Sequence, residues 1–138
     1  RARNLHRLSR QVRALPEEPG ALRALPGIGP YTAGAVASFA FEKRAPLVDT
    51  NVARVLRRVF APRANFKTSR GQQKLWAIAE SVLPRTGRAT WTHNQAIMEL
   101  GALVCTARVA QCGRCPVSDI CKSSRIAGGS TAHPKSSE

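Results

Sequence analysis

The chain runs to 138 residues, enough for one domain with a buried core or for two small ones. Lys and Arg total 22 against 8 acidic residues, a formal charge of +14 with a pI near 11.4, which makes a polyanion the favoured partner over a merely solvated basic surface. No apolar stretch approaches the roughly 18 residues of a membrane span, so nucleic acid is favoured over an embedded role.

The pattern reads as helical from end to end. The opening RARNLHRLSRQVRAL sets Leu5, Leu8, Val12 and Leu15 at helical spacing on one face with arginines on the other, and PEEPG ends that helix. A short helical turn, GALRAL, leads into LPGIGPYTAGAVASFAF (residues 25–41), where a proline and two glycines precede an alanine-rich helix with Pro30 in its first turn. EKRAPLV connects to DTNVARVLRRVF, whose Val52, Val55, Leu56 and Val59 form an apolar stripe behind a capping triplet. After APRANFKT, the segments SRGQQKLWAIAESVL and WTHNQAIMELGALVC each give one more amphipathic helix, with PRTGRAT between them. Trp76 and Trp91 are expected to anchor the core, with Met98, Leu100 and Leu103 as ordinary core patterning. From Ser123 onward SSRIAGGSTAHPKSSE lacks apolar periodicity and is expected to be a flexible tail. No strand alternation is present, so the fold class is all-α. No charged start followed by an apolar core marks a signal peptide, so a reducing cytoplasmic or nuclear setting is expected, and Arg1 in place of Met points to chain missing upstream.

Three features carry chemistry. Gly27 and Gly29 let the chain turn tightly and bring backbone N–H groups to the surface at the positive end of the following helix, a nest suited to a DNA phosphate; an ordinary turn between helices fits the same residues. Asp49 is placed to cap its helix, a role compatible with a catalytic one. Cys105, Cys112, Cys115 and Cys121, spaced C-x6-C-x2-C-x5-C, concentrate four thiolates in 17 residues. A metal suits them better than disulfides in an intracellular chain, and spacing alone leaves structural zinc and an iron–sulfur cluster both open.

LPGIGPYTAGAVASFAF followed by VDTNVARVL, together with the cysteine loop, resembles the helix-hairpin-helix DNA glycosylase superfamily that includes the endonuclease III and MutY types. RARNLHRLSRQV and HNQAIMELGALVCT look most like the MutY type, so the resemblance runs from about residue 1 to residue 121. It implies part of a six-helix barrel carrying the hairpin over residues 1–44, a helical cluster domain over 45–122 and a tail over 123–138. It implies a [4Fe–4S] cluster on the four cysteines. Double-stranded DNA with a mismatched or damaged base pair is the implied partner, met at the nucleoid of a bacterium or in the nucleus or mitochondrion of a eukaryote. Leu25, Gly27, Ile28, Gly29, Tyr31 and Thr32 would hold its backbone, with Asn51 and Arg108 assisting. Asp49 would stabilise the oxocarbenium ion formed when the N-glycosidic bond breaks. Tyr31 stands where the strand-cleaving relatives place a Schiff-base lysine, which implies a monofunctional enzyme. Arg54, Arg57 and Arg58 are read as facing either phosphate or solvent. Neither Glu17 nor Glu18 matches the family's general acid, so an N-terminal segment is expected to supply it, and the chain alone is expected to be a poor enzyme. The activity implied is excision of adenine opposite 8-oxoguanine or G. The alternatives are a thymine glycosylase acting on T/G mismatches and a non-catalytic iron–sulfur DNA-binding module.

Overall fold

The computed structural model describes residues 1–127 and is all helical there, with a single isolated bridge between Cys105 and Ala110 in place of any strand. Its elements are α1 (Ala2–Gln11), α2 (Pro19–Arg23), α3 (Pro30–Phe41), α4 (Thr50–Phe60), α5 (Ser69–Ser81) and α6 (Gly87–Glu99). A π-helical turn (Leu100–Val104), two 3-10 turns (Cys112–Arg114 and Ser118–Ile120) and α7 (Lys122–Ala127) complete the order.

Local signals explain most of the boundaries. The side chains of Asp49, Thr68 and Thr86 each accept a bond from the backbone N–H three residues on, fixing the starts of α4, α5 and α6. Pro30 opens α3, whose limits match those read from the sequence. Helix α1 is shorter than expected, because Val12 is already extended and nothing in α1 is buried. An amphipathic stripe without a packing partner contributes little helical stability, and Pro16 disfavours helical geometry at Leu15. Beyond Cys121 the expected tail begins as α7 instead, and the remainder of that expectation lies outside the described residues.

Two apolar clusters make the core. Leu22, Ala33, Ala37 and Ala45 join α2 to α3, with Leu25 and Ile28 packed on them. Leu47, Val52, Leu56, Leu75 and Ala79 join α4 to α5, backed by Phe39, Ile97 and Met98. The expected stripe Val52, Val55, Leu56 and Val59 is buried throughout. Trp91 is not a core anchor: it is 40% exposed and meets Phe39 edge-to-face, with centroids 5.8 Å apart. Leu103 is also outside the core, at 66% exposure, because the π turn bonds Cys105 N to Leu100 O and shifts the side-chain register.

A buried amide ties the two clusters together. Asn94 on α6 is 2% exposed and donates from Nδ2 to Ser38 Oγ at 2.9 Å and to Ala45 O at 3.0 Å. It therefore clamps α3 against the segment that leads to Asp49. Asn94→Leu would leave Ala45 O and Ser38 Oγ short of a donor and should cost about 1–3 kcal/mol in denaturant unfolding; equal stability of variant and parent would refute the clamp.

His93 sits beside Leu47, Val52, Leu56 and Ile97, and burial lowers its pKa below the ordinary 6.5. Folding favours the neutral ring, so this contribution to stability is whole above 6.5 and is lost as pH falls below it through the lowered folded value. His93→Gln should flatten the pH dependence of the unfolding midpoint in that acidic range, and an unchanged slope would contradict the assignment.

Candidate functional site

The hairpin lies between α2 and α3. Ile28 N donates to Leu25 O at 3.3 Å to close the turn, and Gly27 takes φ +80, a left-handed conformation that excludes most side chains. A Cβ on Gly27 would also lie 2.6 Å from Asn4 Cβ, so the side chain of Asn4 on α1 touches this turn. Leu25 and Ile28 point into the α2–α3 core, leaving the turn's backbone, Gly27 and Gly29, outside. Gly29 is different from Gly27. Its φ of −87 suits any residue, and a Cβ there would meet nothing within 4 Å. Neither backbone nor packing requires glycine at that position, so the space in front of it is kept open.

That open face is the start of α3, which carries no side-chain cap although α4, α5 and α6 all do. A helix leaves its first N–H groups without intrahelical partners, and those of Tyr31 and Thr32 follow directly on Pro30. Both residues are exposed, Tyr31 at 38%. The helix dipole adds positive potential at the same spot.

The segment that leads to Asp49 crosses α3 at close range. Gly34 is one turn into α3, roughly 6 Å along its axis, and any Cβ on it would overlap Pro46 O. Asp49 follows three residues later, half-buried. Its Oδ1 accepts from Val52 N at 2.7 Å, while Asn51 Nδ2 stands 3.5 Å from Oδ2. One carboxylate oxygen is thus fixed by the helix and the other is held only loosely.

Asn51 turns away from solvent into a second network. Arg54 Nη2 donates to Asn51 Oδ1 at 2.7 Å and to Gly101 O at 2.6 Å, and its Nε donates to Cys105 O at 2.7 Å. Arg58 Nη1 donates to Thr106 O at 2.7 Å and also lies 3.3 Å from both the carbonyl oxygen and the Sγ of Cys105. Neither arginine faces phosphate or open solvent as expected; both turn inward to the cysteine loop, while Arg57 stays exposed. The missed signal is spacing. Asn51, Arg54 and Arg58 stand at i, i+3 and i+7, a polar stripe running beside the apolar one on α4. Gly101 was also missed; a Cβ there would lie 2.8 Å from Asn51 Cβ, so only glycine lets the π turn approach α4.

The cysteine loop starts directly after the π turn. Short turns follow Cys112 and Cys115 and a third runs into Cys121, with Cys115 N on Cys112 O, Ser118 N on Cys115 O and Cys121 N on Ser118 O, each at 3.2 Å. All four cysteines line one cavity of about 260 Å³, whose walls include Val55, Val59, Leu100, Val104 and Val117. Among the described residues no three His, Cys, Asp or Glu side chains converge as a single ion requires. An apolar cavity ringed by four thiol groups fits a polynuclear group better than one tetrahedral ion. Arg108 borders this cavity from the exposed loop, and Arg114 donates to Gln111 Oε1 at 3.2 Å.

Two basic side chains in the connector after α3 are paired with carboxylates. Lys43 Nζ lies 2.8 Å from Glu17 Oε2 and 3.8 Å from Glu18 Oε1, and the bond to Glu17 raises its pKa, so it is held protonated and unsuited to imine chemistry. Arg44 pairs with Glu80 at 2.6 Å.

No family model matches the chain. Over 98 residues it is 46% identical to human adenine DNA glycosylase, covering 71% of this chain and 18% of that protein. Over 123 residues it is 42% identical to the adenine DNA glycosylase of Mycolicibacterium smegmatis, covering 86% of this chain and 41% of that protein, so it spans less than half the length of these relatives. The fold matches the structure of a thermostable thymine-DNA glycosylase with a TM-score of 0.79 at 32% identity, over 91% of this chain and 58% of that one. An uncapped hairpin helix feeding a capping aspartate, agreeing in sequence and in backbone with these relatives, places the chain in the helix-hairpin-helix DNA glycosylase superfamily, on its MutY-like side.

Proposed function

We propose that this chain is the hairpin- and cluster-bearing part of a monofunctional DNA glycosylase that removes adenine opposite 8-oxoguanine or G. The observation that carries the reading is Asp49, one oxygen anchored on Val52 N and the other only loosely held, in a chain whose hairpin helix start is kept bare of side chains. DNA would approach with a phosphate on the N–H groups around Gly29, Tyr31 and Thr32, and with Leu25, Gly27 and Ile28 shaping the turn. The target nucleotide must leave the stack before its glycosidic bond is reachable. As that bond breaks, positive charge builds on the sugar, and the ionised Asp49 lies against it.

Other residues divide the remaining work. Asn51 orients the carboxylate, and Arg108 presents a cation to the backbone from the cysteine loop. Cys105, Cys112, Cys115 and Cys121 would hold a [4Fe–4S] cluster, which supplies a rigid anchor for that loop when bound. Residues 1–44 would belong to the barrel and 45–122 to the cluster domain. Tyr31 cannot form an imine and Lys43 is engaged by Glu17, so strand cleavage is not part of the activity. Glu17 and Glu18 face Lys43, and the proton donor to the departing base is assigned, from the resemblance, to a glutamate preceding residue 1 in the full-length protein. Such an enzyme works in the compartment that holds the DNA.

A thymine glycosylase is the second reading, favoured by the structural likeness to such an enzyme at a TM-score of 0.79. Adenine is preferred because sequence identity reaches 46% with a relative named for it, against 32% with the thymine enzyme. Single-turnover assays of the full-length protein on A:8-oxoguanine and T:G duplexes separate the two.

Two variants test the site. Asp49→Asn in the full-length protein should slow base excision by about 10²–10³-fold with DNA affinity little changed; retention of the parental rate would remove Asp49 from the chemistry, and a parent that binds DNA but excises neither base would support the non-catalytic module instead. Gly29→Asp should act in opposite directions on stability and binding. An aspartate there caps α3 and holds or slightly raises the unfolding midpoint, yet it fills and charges the phosphate seat, so affinity should fall by about tenfold or more, the equivalent of about 1.4 kcal/mol. Parental affinity with the cap in place would remove the hairpin from the DNA-binding surface.

A further inference from the structure

Arg58 occupies a position that neither DNA contact nor catalysis explains. It starts on α4, 9 residues beyond Asp49 in the sequence, and its guanidinium reaches the first cysteine of the loop. Nη1 donates to Thr106 O at 2.7 Å and lies 3.3 Å from Cys105 O and from Cys105 Sγ, while Nη2 reaches Ala107 O at 3.4 Å. Its backbone carbonyl lies 3.5 Å from Cys121 Sγ, the last cysteine. One residue therefore touches both ends of the ligand set, and its side chain is half-buried in the wall of the shared cavity. The sulfur is the informative partner. Carbonyl oxygens alone would describe a loop anchor, but a guanidinium N–H on the sulfur also fixes the position of a would-be ligand and places a positive charge beside it.

We propose that Arg58 is a positioning residue for the metal centre, holding the Cys105 thiolate and setting both the retention and the reduction potential of the cluster. This rests on the cluster reading given above. A fixed positive charge near a cluster stabilises its more negative, reduced form, so removing the charge should lower the potential. The three carbonyls that Arg58 holds belong to consecutive residues, Cys105, Thr106 and Ala107, which no single ammonium can span; a lysine would keep the charge and lose the fork.

The test uses the full-length protein purified without oxygen, as wild type, Arg58→Met and Arg58→Lys. Loss of the visible absorption in the presence of an iron chelator gives retention, and film voltammetry gives the potential. Arg58→Met should lose iron about 10–100-fold faster than wild type, the usual range for a lost partner of a metal ligand, and should titrate at a more negative potential. Arg58→Lys should recover the potential and keep most of the faster loss. Wild-type loss rates in both variants would overturn the proposal, as would Met and Lys variants sharing one potential with the parent. Should Arg58→Met fail to fold, the loss rate of Arg58→Lys decides alone. A colourless wild-type protein carrying zinc would overturn the cluster reading and this proposal together, whereas a brown wild type with indifferent variants removes only Arg58.

Discussion

Two guanidinium groups enter the protein from α4 and are met mainly by backbone carbonyls, and the arrangement of the site follows from satisfying them. Arg54 and Arg58 are half-buried, and desolvating such a charge is costly unless strong acceptors replace the water. The acceptors are supplied by Gly101, Cys105 and Thr106, a stretch of chain that would otherwise run free between α6 and the remaining cysteines. Hydrogen bonds to a charged donor are each worth about 1.5–3 kcal/mol. The π turn and Gly101 are local consequences: the turn advances the backbone so that carbonyls face α4, and a glycine permits the approach to Asn51. Helix α4 thereby becomes a rigid spacer with Asp49 at its first end and the cysteine loop along its flank.

That geometry couples the placement of Asp49 to groups far from it in sequence. Asn51 contacts Asp49 on one side and receives Arg54 on the other, so a shift of the loop after Gly101 is transmitted to the carboxylate through one side chain. From the opposite direction Asn94 and the Gly34 crossing fix the segment from Ala45 to Leu47 against α3. The aspartate is held between these two constraints, and its own cap bond to Val52 N supplies the third. A group that must meet developing charge gains from being fixed beforehand, because no reorganisation is then needed as the bond breaks.

The parts legible in the sequence were those written in local chemistry. The limits of α3, the buried stripe of α4 and the cap at Asp49 follow from proline placement, periodicity and an oxygen at the right offset. The cysteine spacing was visible, and the structure adds that all four cysteines line one cavity. What escaped was decided by partners distant in sequence. Arg54 and Arg58 read as surface charge because helical periodicity names a face without saying what covers it, and Asn94 looked like any polar residue on an amphipathic helix. Helix α1 shows the converse: its leucine stripe is plain in the sequence, yet Leu5 is 66% exposed and Leu15 39% exposed, because an apolar face is buried only where something meets it.

The charge distribution completes the physical case for an aspartate beside a polyanion. Bringing a carboxylate toward a phosphate backbone is unfavourable in isolation, and a net charge of +14 offsets that cost over the whole surface. Backbone donors at the start of α3 serve this arrangement better than lysines would. They bind a phosphate through fixed dipoles whose field is confined to the first turn, so they attract the strand without placing a full positive charge next to the carboxylate. On α4, Arg54 and Arg58 are turned instead toward carbonyls and a cysteine sulfur, while Arg57 stays exposed. In the role proposed for Asp49, a cationic transition state would meet a negative group in a positive protein, and that separation of signs would distinguish such a site from a surface built only to hold DNA.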